Sequence, residues 1–201
     1  MNKTIYVLVT LLIILGVAAY IFSITGTPQN VPIVATSTTN TTAVSGWSTY
    51  TGPSYSIQYP ADFKEETVNG VDRLTVPVKS YFTTVLPSEV YFVLNNASAT
   101  CPASVGDSIT ATSSLATPVA VFTKNEWTGV GAGQFYHGVD YVTMKNGLCY
   151  DISLFTHSAN GAGLYYSDPA QIKQVDAQAA AEMQTFFAKA DTIVDTFQFI
   201  H

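Results

Sequence analysis

A continuous apolar run near the N-terminus constrains this chain more than any other feature of its sequence. Residues 5–24, IYVLVTLLIILGVAAYIFSI, contain no charged side chain. As a helix with a rise of about 1.5 Å per residue, they would span roughly 30 Å, the thickness of the hydrocarbon core of a bilayer. Lys3 precedes the run and no charged residue follows it until Asp62, so the positive-inside rule predicts a cytoplasmic N-terminus. We therefore expect residues 1–25 to form a single transmembrane anchor.

The alternative for this segment is a secretory signal peptide that is removed. Val17 and Ala19 form a weak small-residue cleavage pattern, but the apolar run is longer than the roughly 7–15 residues of a signal-peptide core. Residues 26–46 are rich in Thr, Ser and Pro and lack apolar periodicity, so they cannot bury enough surface to offset their ordering entropy. We expect a flexible linker there. An extracytoplasmic domain follows at residues 47–201, and it would be secreted if the leader is cleaved.

Charge and cysteine content exclude several classes of function. Eight Lys and Arg against fourteen Asp and Glu give a net charge of −6, whereas nucleic-acid binding needs a basic surface. Two cysteines cannot build an all-cysteine metal site, and no HExxH spacing supports zinc. The glycine-rich stretch at 129–133 lacks the Lys-Ser/Thr of a phosphate-binding loop, and no Gly-x-Ser-x-Gly is present. We therefore expect no cofactor and no nucleic-acid partner, and we interpret 129–133 as a connector.

A β-hairpin from Gln134 to His157 is the clearest local prediction. Its turn is Asn146-Gly147, which is favoured in type I′ turns because both central residues need a positive φ. This turn fixes the register, in which Lys145 faces Leu148. Period-two alternation then assigns a core face and a mixed face to the hairpin. The core face carries Val139, Tyr141, Leu148, Tyr150, Ile152 and Leu154.

A long amphipathic helix is predicted after the hairpin. Asp168 is a good N-cap, with Pro169 at the first helical position and Gln171 at capping-box spacing. Apolar residues recur at steps of three or four from Ile172 to Phe197, which is the period of one helical face. Because the pattern is long, we expect a break near residues 189–191. The final FQFI could return to a sheet.

The rest of the domain reads mainly as strands. We predict two short strands around Gly52-Pro53, a strand at 71–78, another within 85–94, and an apolar run at 119–122. We expect a charged turn at Glu65-Glu66, mostly loop at 95–118, and a connector at 161–163. Strands followed by a long helix indicate an α+β fold, an antiparallel sheet whose apolar face is covered by helix.

Two short motifs resemble a known family. Residues 55–63, YSIQYPADF, are similar to the opening of PsbP/Mog1-like domains, and residues 193–199, IVDTFQF, resemble the ending of many anchored bacterial proteins with such domains. The resemblance implies an α/β/α sandwich around an antiparallel sheet, in an extracytoplasmic accessory protein of the bacterial cell envelope. It supplies no shared catalytic residues to transfer.

The two cysteines, Cys101 and Cys149, could act as a nucleophilic thiol or form a structural disulfide. A thiol at Cys149 would need His137 or His157 as its base. In the predicted register Cys149 and His157 share a face, but eight residues at about 3.3 Å each separate them by roughly 26 Å, far beyond the contact that a catalytic dyad needs. An oxidising compartment and an even cysteine count favour a disulfide. Two free buried thiols are the remaining alternative.

Asp140, Asp151 and His157 form the one candidate polar cluster. In the hairpin register Asp140 faces Ser153 and Asp151 faces Val142, so the carboxylates are diagonal neighbours on the mixed face. Such a pair could hold a cation or share a proton. The alternative is two solvated side chains on an exposed face, and a surface or capping role for each histidine. No calcium-loop pattern accompanies the pair, so we assign no metal ligand.

The expected anchor and linker, together with the absence of a recognisable catalytic motif in the sequence, predict a membrane-tethered extracytoplasmic module. It would be a binding or accessory module and not an enzyme. Its partners would be the membrane, through the N-terminal helix, and an envelope protein or a glycan. One alternative is a cell-envelope hydrolase, which a cleft gathering Asp140, Asp151 and a histidine would favour. The other is a purely structural envelope component.

Overall fold

Two antiparallel sheets and one long helix form the part of the chain that the structure, a computed structural model, describes: residues 46–102, 106, 108–131, 134–164 and 168–200. Residues 1–25, the expected anchor, lie outside these ranges, as does the expected linker except for Gly46. Within the described ranges, no helix is long and apolar enough to cross a membrane.

The elements follow the chain in a strand-rich order with the long helix near the end. The strands are β1 Trp47–Thr51, β2 Tyr55–Pro60, β3 Lys64–Val68, β4 Val71–Thr75, β5 Pro87–Leu94, β6 Ser108–Ala116, β7 Val121–Gly131, β8 Gln134–Lys145, β9 Leu148–Ala159 and β10 Gln198–Phe199. The helices are α1 Val78–Tyr81, α2 Gly161–Leu164 and α3 Pro169–Val194. The large sheet has the order β3-β4-β5-β9-β8-β7-β6, and the small one has the order β1-β2-β10. This arrangement confirms a mixed α+β protein with antiparallel sheets.

The predicted hairpin is confirmed as the β8–β9 pair at the centre of the large sheet. Asn146 and Gly147 have φ of 54° and 75°, as a type I′ turn requires. Lys145 pairs with Leu148, and the register continues unbroken to Gln134 and Ala159. Strand β5 pairs with β9, and β7 pairs with β8. The hairpin therefore determines which side chains of the neighbouring strands lie on each face of the sheet.

Helix α3 begins as predicted and continues further than predicted. The Asp168 carboxylate accepts hydrogen bonds from the backbone N–H groups of Ala170 and Gln171, each at 3.1 Å. The expected break at residues 189–191 does not occur, because Asp191 fastens that turn to the sheet: Lys124 Nζ lies 2.9 Å from Asp191 Oδ1, and the Tyr141 hydroxyl donates to the same oxygen at 2.7 Å. After the helix, β10 pairs with β2, so the chain does return to a sheet.

The main core lies between α3 and one face of the large sheet. Only the C-terminal half of the helix is buried there, from Met183 onward. The sheet supplies five of the six predicted core-face residues of the hairpin, together with residues of β4, β5 and β7. The prediction was wrong for Leu148, which lies next to the Asn146-Gly147 turn and is 38% exposed. The buried residues of this layer are Leu74, Phe92, Phe122, Val139, Tyr141, Ile152, Leu154, Met183, Phe186, Phe187, Ala190, Ile193 and Val194.

Several sequence-based interpretations were wrong at the edges of the sheet. Residues 108–116 form strand β6 although a loop was expected at 95–118, and the expected charged turn at Glu65-Glu66 lies in β3. Both are edge strands with solvated side chains, so they lack the alternation that marks a half-buried strand. Three other predictions differ from the structure. Residues 129–131, expected to be part of a connector, belong to β7, and residues 161–163, also expected to be a connector, fall in α2. The strand expected at 71–78 ends at Thr75.

The turn generates the first prediction. Gly147 has a positive φ and open space around an added Cβ, whereas Gly131 has space, with its nearest neighbour at 3.8 Å, and no positive φ. Gly147→Ala should therefore lower the free energy of unfolding by about 1 kcal/mol through backbone strain alone. Gly131→Ala, the matched control, should leave it nearly unchanged. Denaturant unfolding of both variants measures this, and equal losses would contradict the turn geometry.

Candidate functional site

A pocket of about 350 Å³ lies between helix α3 and one end of the large sheet. Its floor is apolar and buried, formed by Leu86, Pro87, Met183 and Phe187. Residues near the start of β8 and the end of β9 form the wall, and Asp176, Ala179, Ala180 and Gln184 of α3 form the mouth.

The pocket exists because the two halves of α3 carry side chains of different size. The C-terminal half packs large residues such as Phe186 and Ile193 into the core. The N-terminal half lines the pocket with the small side chains of Ala179 and Ala180. Small alanine side chains cannot fill the space over the pleated surface, so a cavity remains between helix and strands.

Two contacts hold the helix and the floor in place. The Glu182 carboxylate accepts hydrogen bonds from the backbone N–H groups of Thr83 and Thr84 at 3.2 and 3.1 Å, and from both of their hydroxyls. Burial alone would raise its pKa, but these hydrogen bonds and one from Gln178 outweigh it and lower the pKa of Glu182 to about 2. The loop that leads to Leu86 is thereby tied to α3. On the other side of the pocket, Asp176 accepts from the Gly161 N–H at 2.8 Å.

The wall of the pocket carries two polar side chains on an otherwise apolar surface. The register pairs Phe135 with Ser158 and His137 with Thr156, so His137 and Ser158 are diagonal neighbours on the helix side of the sheet. Ser158 is only 7% exposed. Burial lowers the pKa of His137, so its imidazole is neutral near pH 7. Within the described ranges, neither the Ser158 hydroxyl nor the ring nitrogens of His137 have a hydrogen-bond partner.

Asp140 and Asp151 lie on the opposite face of the sheet, and they are buried rather than solvated, with 4% and 3% exposure. The Trp127 indole donates to Asp140 Oδ1 at 3.1 Å, and the Asn95 amide donates to Asp151 Oδ2 at 2.5 Å. Burial raises the pKa of Asp151 to about 6, a shift that the nearby Asp140 carboxylate increases and the Asn95 hydrogen bond opposes. The region is a closed polar layer inside the fold.

His157 does not join the two carboxylates. Six residues of β9 separate it from Asp151, which at about 3.3 Å per residue is roughly 20 Å. Its ring stacks on Tyr136 with 4.9 Å between ring centroids, and its Nδ1 lies 3.2 Å from the Ser88 hydroxyl. Among the described residues, no three His, Cys, Asp or Glu side chains are grouped to hold a metal ion.

The predicted disulfide is confirmed. Cys101 and Cys149 are bonded, with 5.2 Å between their Cα atoms. The segment before Cys101 also pairs with β9, since Ser98 and Cys149 exchange backbone hydrogen bonds of 3.0 and 2.7 Å. Disulfide and bridge together hold residues 95–101 beside the strand that carries Asp151. The alternatives of a reactive thiol and of free buried thiols are therefore wrong.

No protein-family model fits the chain, and no curated protein matches it. The resemblance to PsbP/Mog1-like domains stays a prediction from the sequence, and the pocket has to be interpreted from its own geometry.

Sequence reasoning considered a functional role for His137 only as a possible base for a Cys149 thiol, and it did not consider Ser158. The hairpin register could have indicated them, because it places both residues on the core face. They lie beyond Val139 and Leu154, the last pair on that face in which both residues are apolar. What the sequence could not show was that α3 would place the small side chains of Ala179 and Ala180 at that end of the sheet.

The buried acid gives the second prediction. Because the pKa of Asp151 is raised from its ordinary 3.8 to about 6, the folded chain retains a proton that the unfolded chain releases, and stability falls as the pH rises through that window. Asp151→Asn should therefore match the wild type near pH 4 and exceed its free energy of unfolding by about 2 kcal/mol at pH 7.

The matched control for this prediction is Asp195→Asn, at an exposed position after α3. It should change the free energy of unfolding by less than about 0.5 kcal/mol at either pH. Unfolding curves at pH 4 and pH 7 measure both variants. A gain from Asp151→Asn that is the same at the two pH values would contradict the raised pKa.

Proposed function

We propose that this chain is a non-catalytic binding module that takes a small molecule into the pocket beneath helix α3. The observation that carries the proposal is the cavity itself. Its volume of about 350 Å³ falls in the range of roughly 300–1,000 Å³ that small-molecule sites occupy. Its buried apolar floor and few polar wall groups are also typical of such sites.

The arrangement of titratable groups favours binding over catalysis. A nucleophile needs a base within hydrogen-bonding distance, and that base is oriented by a third group. The described residues provide no hydrogen-bond partner for the His137 ring, and Asp176 at the mouth is engaged by the Gly161 N–H. A hydrolase built on Asp140 and Asp151 would need a histidine that lies roughly 20 Å along the strand. These observations support a module that holds its ligand unchanged.

The proposal extends to the family and the cellular location. The two motifs that resemble PsbP/Mog1-like domains are neighbours in the fold, since Tyr55 of β2 pairs with Phe199 of β10 and stacks on Phe197 at 5.0 Å. This contact supports the assignment of both motifs to one PsbP/Mog1-like domain, for which the resemblance implies an α/β/α sandwich and an accessory role. The apolar run and the Thr/Ser/Pro-rich segment support a membrane-tethered domain outside the cytoplasm, and the disulfide is consistent with an oxidising compartment.

Filling the pocket tests the binding function. Ala179 lines the pocket, whereas Ala181 is exposed on α3 and is not part of the lining. Ala179→Trp should abolish binding of a neutral apolar probe, N-phenyl-1-naphthylamine, and Ala181→Trp should retain it. The readout is the NMR signal of the Met183 methyl group in the floor, measured in the full chain in lipid nanodiscs with ¹³C-methyl methionine. Exposed Met144 on the hairpin is the internal reference.

Either of two results would contradict the binding function. The Met183 signal could fail to respond to the probe in the wild-type chain, or it could respond equally in both tryptophan variants. In the second case the probe would be acting on the protein from outside the pocket.

Protease accessibility tests the location. When the full chain is expressed in a Gram-negative bacterium, protease added to spheroplasts should degrade residues 47–201, and carbonate washing should leave the intact chain in the membrane. A cytoplasmic marker protein serves as the control for spheroplast integrity. Recovery of the intact chain in the soluble cytoplasmic fraction would contradict the proposed anchor.

A further inference from the structure

We propose that the pocket selects an uncharged, mostly apolar molecule that carries one hydrogen-bonding oxygen, and that this oxygen lies between the Ser158 hydroxyl and the His137 imidazole. The inference deepens the proposed binding function and rests on it. It follows from three observations: two unpartnered polar groups, their spacing, and the charges around the pocket.

The first observation is an accessible hydroxyl in the pocket lining. Ser158 is only 7% exposed as a residue, yet its hydroxyl oxygen is not among the fully buried unpaired atoms of the described residues, and none of their hydrogen bonds uses it. Water can pair with this hydroxyl while the pocket is free, and a ligand that displaces the water has to replace that hydrogen bond or lose free energy. Ser158 belongs to the pocket lining, so a ligand atom in the pocket can supply the missing partner. A pure hydrocarbon would leave the hydroxyl unpaired.

The second observation is the spacing of the two groups. Ser158 pairs with Phe135, and His137 is the next residue on that face of β8. Diagonal neighbours in an antiparallel pair are roughly 7–8 Å apart, and both residues line the same pocket. One oxygen atom between them can therefore meet both. A neutral imidazole has one donor and one acceptor nitrogen, and a hydroxyl can take either role.

The third observation is the charge of the lining. The described lining residues include no Lys or Arg, and the only carboxylate is Asp176 at the mouth. Burial lowers the pKa of His137, so an anion would gain a counter-charge only by protonating an imidazole that burial favours as neutral. A carboxylate or phosphate in this pocket would therefore lose its hydration without meeting a charge that is already present, which is unfavourable. The geometry thus favours an alcohol, phenol, ketone or amide over an acid of the same shape.

Three compounds of one shape test the inference: 2-naphthol, naphthalene and 2-naphthoate. Each is titrated against the full chain in nanodiscs, with the Met183 methyl signal as the readout. Because the compounds partition differently into lipid, the measured quantity is the ratio of wild-type to variant affinity for each compound. Ser158→Ala should weaken 2-naphthol about threefold to tenfold, as expected for one lost hydrogen bond, and should leave naphthalene unchanged. For 2-naphthoate, binding to the wild type should be undetectable.

A second variant and a control keep the test decisive if Ser158→Ala disturbs the fold. His137→Phe retains the ring-shaped wall but removes both nitrogen atoms, and it should also weaken 2-naphthol alone. Ser114→Ala, on the exposed edge strand β6, should affect no compound. If 2-naphthol and naphthalene respond alike in both pocket variants, or if 2-naphthoate binds as well as 2-naphthol, the inference is overturned while the binding function stands. If no compound moves the Met183 signal, the binding function itself fails.

Discussion

The register of the β8–β9 hairpin is the constraint on which the rest of the structure depends. A shift of one residue would exchange its two faces, moving Tyr141 and Leu154 out of the core and Asp140 and Asp151 into it. The Asn146-Gly147 turn prevents this shift because its two positive φ values fit a two-residue connection. The neighbouring strands β5 and β7 pair with the hairpin, so its register also determines which of their side chains lie on the core face.

The same register creates both polar regions of the domain. On the side that faces α3, the register places a row of apolar residues along the hairpin. The row ends at His137 and Ser158, near the point where α3 changes from large side chains to alanines. On the other side it buries two carboxylates: Asp151 lies beside a segment held by the disulfide, and Asp140 accepts a hydrogen bond from Trp127. The first region is open to a small molecule and the second is closed. This difference makes the pocket the better candidate for function.

Sequence reasoning was most accurate where a local signal fixes local geometry. Asn146-Gly147 predicted the hairpin register, and Asp168 with Pro169 predicted the start of α3. It failed at β3 and β6, because the solvated side chains of an edge strand carry no periodic signal. It also could not place Ser158 in a pocket, since that depends on how far α3 lies from the end of β9. Such a distance is set by tertiary contacts, among them those of Glu182 with Thr83 and Thr84.

A crystal structure of the chain grown with 2-naphthol would test the central claim most directly. The account predicts one bound molecule beneath α3, with its ring against Met183 and Phe187 and its oxygen within hydrogen-bonding distance of both the Ser158 hydroxyl and a ring nitrogen of His137. A pocket that remains empty at saturating ligand would contradict the account. A molecule bound there with its oxygen directed towards solvent would contradict the assigned roles of Ser158 and His137.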